Sequence, residues 1–222
     1  MEYLPQLLEY AESIKDKPMS SLLITAEMES EYIPDELGNI HFDGLLSKAV
    51  VYKIPCNFQE KYQYFIPLPL LLLGQQRQYY CCSVALPGDY VKGRFYWRKR
   101  SELRVPQKIR MGAGAYKAYN VRHDTIHTNT LKFLAHGIKK EIEDLLGYIS
   151  NVGKKRNYGK GEIRKWTVEP IDNPPEDCII HDSQVLRPIP VTEIESTSPP
   201  ITAAYYPPYW HYMNETECYV PI

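Results

Sequence analysis

Residues 150–162 read SNVGKKRNYGKGE, a run that gathers the groups needed to hold a polyanion. Gly153, Gly159 and Gly161 permit positive φ and let a backbone approach a ligand closely. Free backbone N–H groups in such a loop form an anion-binding concavity. Lys154, Lys155, Arg156 and Lys160 supply charge for phosphates, and Tyr158 supplies a ring on which a base can stack. No Gly-Lys-Ser or Gly-Lys-Thr opens a helix here, so the run is not a P-loop. A dinucleotide fingerprint follows a strand and precedes a helix, whereas the expected order here is helix, loop, strand. A solvated loop with incidental lysines is the plain alternative.

A second window strengthens the polyanion reading. Residues 94–100 read RFYWRKR, with aromatic rings between cations. Arg104, Lys108, Arg110, Lys117 and Arg122 continue the series, and Gly112 and Gly114 interrupt it ahead of a predicted strand. Cations that meet phosphates and rings that stack on bases suit single-stranded nucleic acid. A strand face turned to solvent is the competing reading. The candidate contacts in this window are Arg98, Lys99, Arg100, Arg104, Lys108, Arg110, Lys117 and Arg122.

Cleavage of RNA through its own 2′-hydroxyl would need a base and an acid within hydrogen-bond reach of the scissile phosphate. His41, His123, His127 and His136 are the candidates, with Tyr116 or Lys117. His41 stands just before a predicted helix, and His123 and His127 flank Asp124 in a predicted loop. A metal site on that H-D-x-x-H run would need a third ligand and a helix, and neither is evident. The residues therefore assign no catalytic group, no metal and no cofactor.

These windows need elements to position them. Residues 1–17 set Leu4, Leu7, Leu8, Ala11 and Ile14 at helical spacing ahead of Pro18, which predicts an N-terminal helical arm over residues 1–19. Residues 21–29 put Leu22, Ile24 and Ala26 on one face of a strand. A helix follows, with Asp43 expected as its N-cap and Leu45, Leu46, Ala49 and Val50 as its apolar face. Residues 62–73 and 76–86 read as extended runs joined in a hairpin at Gly74-Gln75. Residues 115–121 and 131–136 read as strands, 138–149 as a helix, and 162–169 as a final strand. The tail from Trp166 carries ten of the 18 prolines and one basic residue, Arg187, which predicts an irregular acidic wrap. This order fits an α+β protein with a ferredoxin-like (RRM-like) βαββαβ core over residues 20–170. A β-rich basic insertion falls at about 62–114, and a Pro-rich extension, 171–222, packs on the same domain.

Composition narrows the class further. The formal net charge of the 222 residues is −1, yet two windows, 92–122 and 153–165, hold sixteen of the 26 lysines and arginines against Glu102 and Glu162 alone. The remainder is acidic, which points to a local polyanion site rather than a diffuse field. The N-terminal stretch has acids and no basic region ahead of an apolar run, so no signal peptide is expected. The longest apolar stretch, 66–73, is eight residues with Pro67 and Pro69, too short to span a bilayer. Five cysteines without a C-x-x-C pair argue against a disulfide framework or zinc knuckle and for a reducing cytoplasm. Adjacent Cys81 and Cys82 read as small buried hydrophobes.

The helix–loop–strand passage LLGYISNVGKKRNYGKGEIRKWTVEPI resembles the glycine-rich loop of the CRISPR-associated RAMP (repeat-associated mysterious protein) superfamily. Within it the chain is most similar to the Cas-five-like subunit of type IV CRISPR effector complexes. SLLITAEME with HFDGLLSKAV resembles that group's first strand and helix, and GAYKAYNV its basic mid-chain strand. LKFLAHGIKKEIEDLL resembles the strand and helix before the loop, and RPIPV and PPYW its closing motifs. The resemblance implies a non-catalytic subunit that caps the 5′ handle of a CRISPR RNA. It also implies contact with a Cas-seven-like backbone subunit and a large or Cas-eight-like subunit. Target DNA near the protospacer-adjacent motif is a further contact to test. Carried onto this chain, Gly153, Lys154, Lys155, Arg156, Tyr158, Gly159, Lys160 and Gly161 would hold handle phosphates and bases. A Cas-six-like processing endoribonuclease and a protein-only scaffold subunit are the alternatives.

Overall fold

A computed structural model describes residues 5–54, 66–99 and 117–221 of the chain. The central strand β1 (Ser20–Met28) alternates, turning Leu22, Ile24 and Ala26 to one fully buried face. β7 (Thr130–Gly137) runs antiparallel beside it, so that Leu22 faces Ala135, Ile24 faces Phe133 and Ala26 faces Leu131. β8 (Ile163–Pro170) pairs antiparallel with the other edge of β1 and sets Val168 opposite Ile24. The short β4 (Leu86–Pro87) lies beyond β7, giving the sheet order β4-β7-β1-β8.

Helices cover the apolar face. α2 (Phe42–Lys53) follows β1 and α3 (Lys139–Leu146) follows β7. Leu45, Leu46, Ala49 and Val50 of α2 and Ile142, Leu145 and Leu146 of α3 join the strand residues in one core. α1 (Pro5–Ile14) adds Leu7, Tyr10 and Ile14. Each large side chain so buried contributes about 1.5–3 kcal/mol. Trp166 ties β8 to the end of the α3 segment, its Nε1 donating to the Ile149 carbonyl at 2.9 Å. That bond fixes the base of the glycine loop, which spans the gap between the two.

On the opposite face Leu134 packs into a second cluster of Tyr79, Cys81, Cys178, Ile179, Val185 and Ile189. The hairpin of β2 (Leu72–Leu73) and β3 (Tyr79–Tyr80) and the C-terminal segment build it. β9 (Ile180–His181) and β10 (Gln184–Val185) meet across Asp182 and Ser183, both at positive φ as a two-residue type I′ turn requires. β11 (Ile189–Pro190), β12 (Ile201–Ala204) and β13 (Glu215–Tyr219) form a three-stranded sheet in the order β11-β13-β12. The tail is therefore not the irregular wrap expected from its prolines. Lying over a buried face, its backbone must pair its own N–H and C=O groups.

One buried ion pair fastens this tail to the core. Arg187 and Asp43, each 1% exposed at the side chain, meet at 3.1 Å. The guanidinium also donates to the carbonyls of Tyr80 and Tyr205 and to the Tyr209 hydroxyl. Tyr209 in turn donates to Asp43 at 2.8 Å. Burial, then the Asp43 carboxylate, pushes the Tyr209 phenol well above its ordinary pKa.

Several expectations change. Asp43 is not the N-cap of α2; His41 holds that position with no side-chain cap bond, and the Asp43 carboxylate goes to Arg187 and Tyr209 instead. The α1 face is Leu7, Tyr10 and Ile14, whereas Leu8 is exposed, and Leu4 lies outside the described residues. The Gly74-Gln75 hairpin exists but pairs only two residues a side. Its five-residue turn is held by Glu193, which accepts from the N–H groups of Gln75, Gln76 and Arg77. The strand expected over 115–121 begins, among the described residues, at Tyr119 and continues to Thr128. His123, Asp124 and His127 thus lie on a strand rather than in a loop. Cys81 and Cys82 are buried as small hydrophobes, as expected, and Cys178 and Cys218 are buried too.

Candidate nucleic-acid interface

The basic mid-section is a two-stranded ribbon of β5 (Tyr90–Lys99) and β6 (Tyr119–Thr128). It grows out of the central sheet without a break in register. Leu86 pairs with Lys132 and Pro87 with Leu131 inside the sheet, then Tyr90 with Thr128 and onward to Lys99 with Tyr119. Period-two alternation gives the ribbon two unlike faces. Lys92, Arg94, Tyr96 and Arg98 share one with Asn120, Arg122 and Asp124 across the ladder. Phe95 and Trp97 share the other with Tyr119 and His123.

The glycine loop is held by the segment that leaves β1. Lys154 N–H donates to the Ile33 carbonyl at 2.8 Å and Gly161 N–H to the Glu31 carbonyl at 2.8 Å. A Cβ on Gly153 would strike the Ile33 carbonyl oxygen and one on Gly161 the Val152 carbonyl oxygen, and both glycines have positive φ. Close approach and backbone conformation thus both demand glycine there. Between them Lys155 takes a left-handed conformation (φ 58°) and leads into a single 3-10 turn, Arg156–Tyr158.

Loop and ribbon meet on the ring face. Lys155 Nζ stands 3.2 Å from the centroid of the Trp97 ring and Lys160 Nζ 4.6 Å from that of Phe95. Trp97 Nε1 donates to the Tyr158 hydroxyl at 2.8 Å, and the two rings meet edge to face. Phe95 stacks on His123 with centroids 6.3 Å apart. Burial, then the charges of Lys155 and Lys154, hold the His123 pKa below its usual value, and its Nε2 is buried without a hydrogen-bond partner. Lys160 also pairs with Glu31, whose carboxyl it holds below the usual range. Two sequence windows some fifty residues apart are one surface of cations and rings.

A family model described as CRISPR type IV associated protein Csf3 matches residues 88–221, more than half of the chain. The chain belongs to the Csf3 family. The match takes in the ribbon, the glycine loop and the C-terminal segment; β1 and α2 lie outside it. Csf3 is a Cas-five-like type IV CRISPR-associated protein, so this chain is a CRISPR effector subunit with partners in a multi-subunit complex. No curated protein matches it. Among the described residues no helix is long and apolar enough to cross a membrane.

The structure sorts the chain's predicted contacts. Lys155, Tyr158 and Lys160 gather at the ring face, although Lys160 is committed to Glu31 and Tyr158 to Trp97. Lys154 is exposed and 3.8 Å from the freely exposed Glu36. Arg156 turns away from the ribbon, half-buried, with desolvation alone lowering its pKa. Arg98 lies on the cation face above Tyr96, 5.0 Å from its ring centroid, and Arg122 is there too, bound to Asp124 at 2.7 Å. Lys99 and Tyr119 end the described ladder, Lys117 just precedes it, and Gly159 ends the 3-10 turn. Arg100, Arg104, Lys108, Arg110 and Tyr116 lie outside the described residues.

The histidines are scattered. His41 is stacked on Tyr209 at 3.6 Å with Nε2 3.2 Å from Asp35, and His136 Nδ1 lies 3.1 Å from the Ser21 hydroxyl. His123 faces Phe95, and His127 pairs across the ladder with Val91. Among the described residues no three His, Cys, Asp or Glu side chains cluster as a metal site. Sequence reasoning missed that Phe95, Trp97, His123 and Glu31 are the loop's own partners. The alternation of Phe95 and Trp97 with Arg94, Tyr96 and Arg98 was the available signal for a two-faced ribbon.

Proposed function

We propose that this chain is a non-catalytic guide-RNA-binding subunit that caps the 5′ handle of a CRISPR RNA in a type IV effector complex. The observation that carries the reading is the convergence of glycine loop and ribbon, with Lys155 over Trp97 and Lys160 over Phe95. Phosphates would meet Lys154, Lys155 and the cation face, and bases would stack against exposed rings. Guide–target pairing would read sequence while the protein holds backbone and shape. A core of the ferredoxin-like RAMP plan is part of the proposal. Its support is the chain order strand, helix, strand, strand, helix, strand, with the fourth strand beside the first and the first beside the third. Residues 1–19 would be an arm, 20–170 the RAMP domain with its insertion, and 171–222 an extension on the same domain. The partners would be a Cas-seven-like backbone subunit and a large or Cas-eight-like subunit, in the cytoplasm. The enclosure of His41, 9% exposed at its side chain, favours a binder over a nuclease that uses it.

A salt titration of RNA binding tests this. With about six phosphates neutralised on single-stranded RNA, log affinity should fall with log salt at a slope of roughly −4, near −0.7 per contact. Replacing Lys154 and Arg156 together by Ala should weaken binding about tenfold or more while leaving the fold intact, because neither side chain belongs to the buried core. A flat slope, or unchanged RNA retention in the double variant, would count against the assignment.

A further inference from the structure

The left-handed turn at Lys155 splits the loop's cations between two sides. Lys155 goes to the ribbon, while Arg156 enters a recess of about 370 Å³ beside α2 and the residues after α3. That volume is within the ~300–1,000 Å³ range of small-ligand clefts. Lys48 and Arg156 line it together with Tyr52, Tyr148, Ser150, Asn151 and Asn157. Both rings are exposed, Tyr52 by 58% and Tyr148 by 47%, although large aromatic side chains gain most from burial. Lys48 stands 5.1 Å from the Tyr52 ring centroid. Desolvation lowers the Arg156 pKa, and no charge among the described residues offsets it.

Charge balance separates this recess from the cleft below the ribbon's cation face. There Lys92, Arg94 and Arg122 face Asp35, Glu36 and Asp124, so the cleft largely neutralises itself. Among the described residues no carboxylate lines the Arg156 recess. The last turn of α2 and the residues after α3 border it, and their partial negative ends amount to roughly half a charge each. Two full cations outweigh them. Two cations beside exposed tyrosines, with no acid among the described lining residues, are the chemistry of a nucleotide: phosphate on the charges, base on a ring.

We infer that the recess formed by Lys48, Tyr52, Tyr148 and Arg156 is a second subsite for single-stranded RNA, holding one phosphate and a stacked base. The inference rests on the RNA-binding reading of the ring face and extends the strand's path past the glycine loop to α2. It adds three contacts, Lys48, Tyr52 and Tyr148, outside both basic windows.

The test uses the purified full chain and a fluorescein-labelled oligouridine of roughly 12 nucleotides, within the site sizes of sequence-tolerant single-strand binders. K48A should lower affinity several-fold and make the salt slope shallower by about 0.7, the signature of one lost phosphate contact. Y52A/Y148A should lower affinity about tenfold with the slope unchanged, the signature of lost stacking. All three residues are on the surface, and thermal melts should match the parent. K155E, on the ring face, is the control. If K155E loses binding while K48A and Y52A/Y148A match the parent in affinity and slope, the recess is not a subsite and the RNA reading stands without it. If the parent itself fails to bind the probe, both readings fall together.

Discussion

Lys155 holds a left-handed backbone that costs a non-glycine residue about 1–2 kcal/mol. Glycine would remove that strain, yet the position carries a lysine 3.2 Å from the centroid of the Trp97 ring. A residue kept in a costly conformation at a surface loop points to a role outside stability. Lys155→Gly should therefore change unfolding free energy by less than about 1 kcal/mol, since relief of strain offsets the greater freedom of the unfolded chain. RNA affinity should drop several-fold in the same variant. Chemical denaturation and fluorescence anisotropy on one preparation check both halves. His123 gives the pH counterpart. Its folded pKa lies below the unfolded value near 6.5, so its neutral form stabilises fully above that pH, and the contribution is lost as pH falls through the folded pKa. Thermal melts between about pH 7 and pH 5 should show a loss that is smaller in His123→Phe. An identical loss in both proteins would remove His123 from the loop–ribbon contact.

The ribbon and the glycine loop show which elements a sequence discloses. Buried alternation at Leu22, Ile24 and Ala26 and the helical spacing of Ile138, Ile142, Leu145, Leu146 and Ile149 were legible because one solvent-excluded face imposes a period. The β6 strand was read short because its last seven residues, RHDTIHT, carry a single apolar side chain, Ile126. Its long-range partners hold it extended: the β5 ladder on one edge and, at Ile126, the backbone of Tyr32 on the other. Asp43 looked like a helix cap because the residue that claims it, Arg187, lies 144 positions away. The glycine loop was legible as an anion binder from composition alone. That it rests on aromatic residues of a distant hairpin was not, because docking distance leaves no local pattern. Glu31 belongs to the same lesson: it accepts from Lys160 and so aims that side chain toward Phe95.

Across the whole molecule, a net charge of −1 conceals a cationic ribbon and loop on an acidic remainder, and the tail must be held to that body. The buried Arg187–Asp43 pair does this, and removing one partner of such a pair costs about 3–5 kcal/mol because the other is left charged and dry. Arg187→Ala should destabilise by that amount in urea melts, whereas R187M/D43L should recover part of it. Equal stability of the parent and R187A would show that the tail is held by packing alone. The central claim concerns RNA, and its most direct measurement is the sequence of the RNA ends bound in cells. The tagged chain would be purified from cells that also express the neighbouring operon, and the 5′ ends of its bound RNA sequenced. Uniform 5′ ends within a CRISPR repeat, lost when Lys154 and Arg156 are replaced by Ala, are the predicted result. Absence of RNA, or RNA with random ends, would contradict the handle-capping role and leave a scaffold subunit in its place.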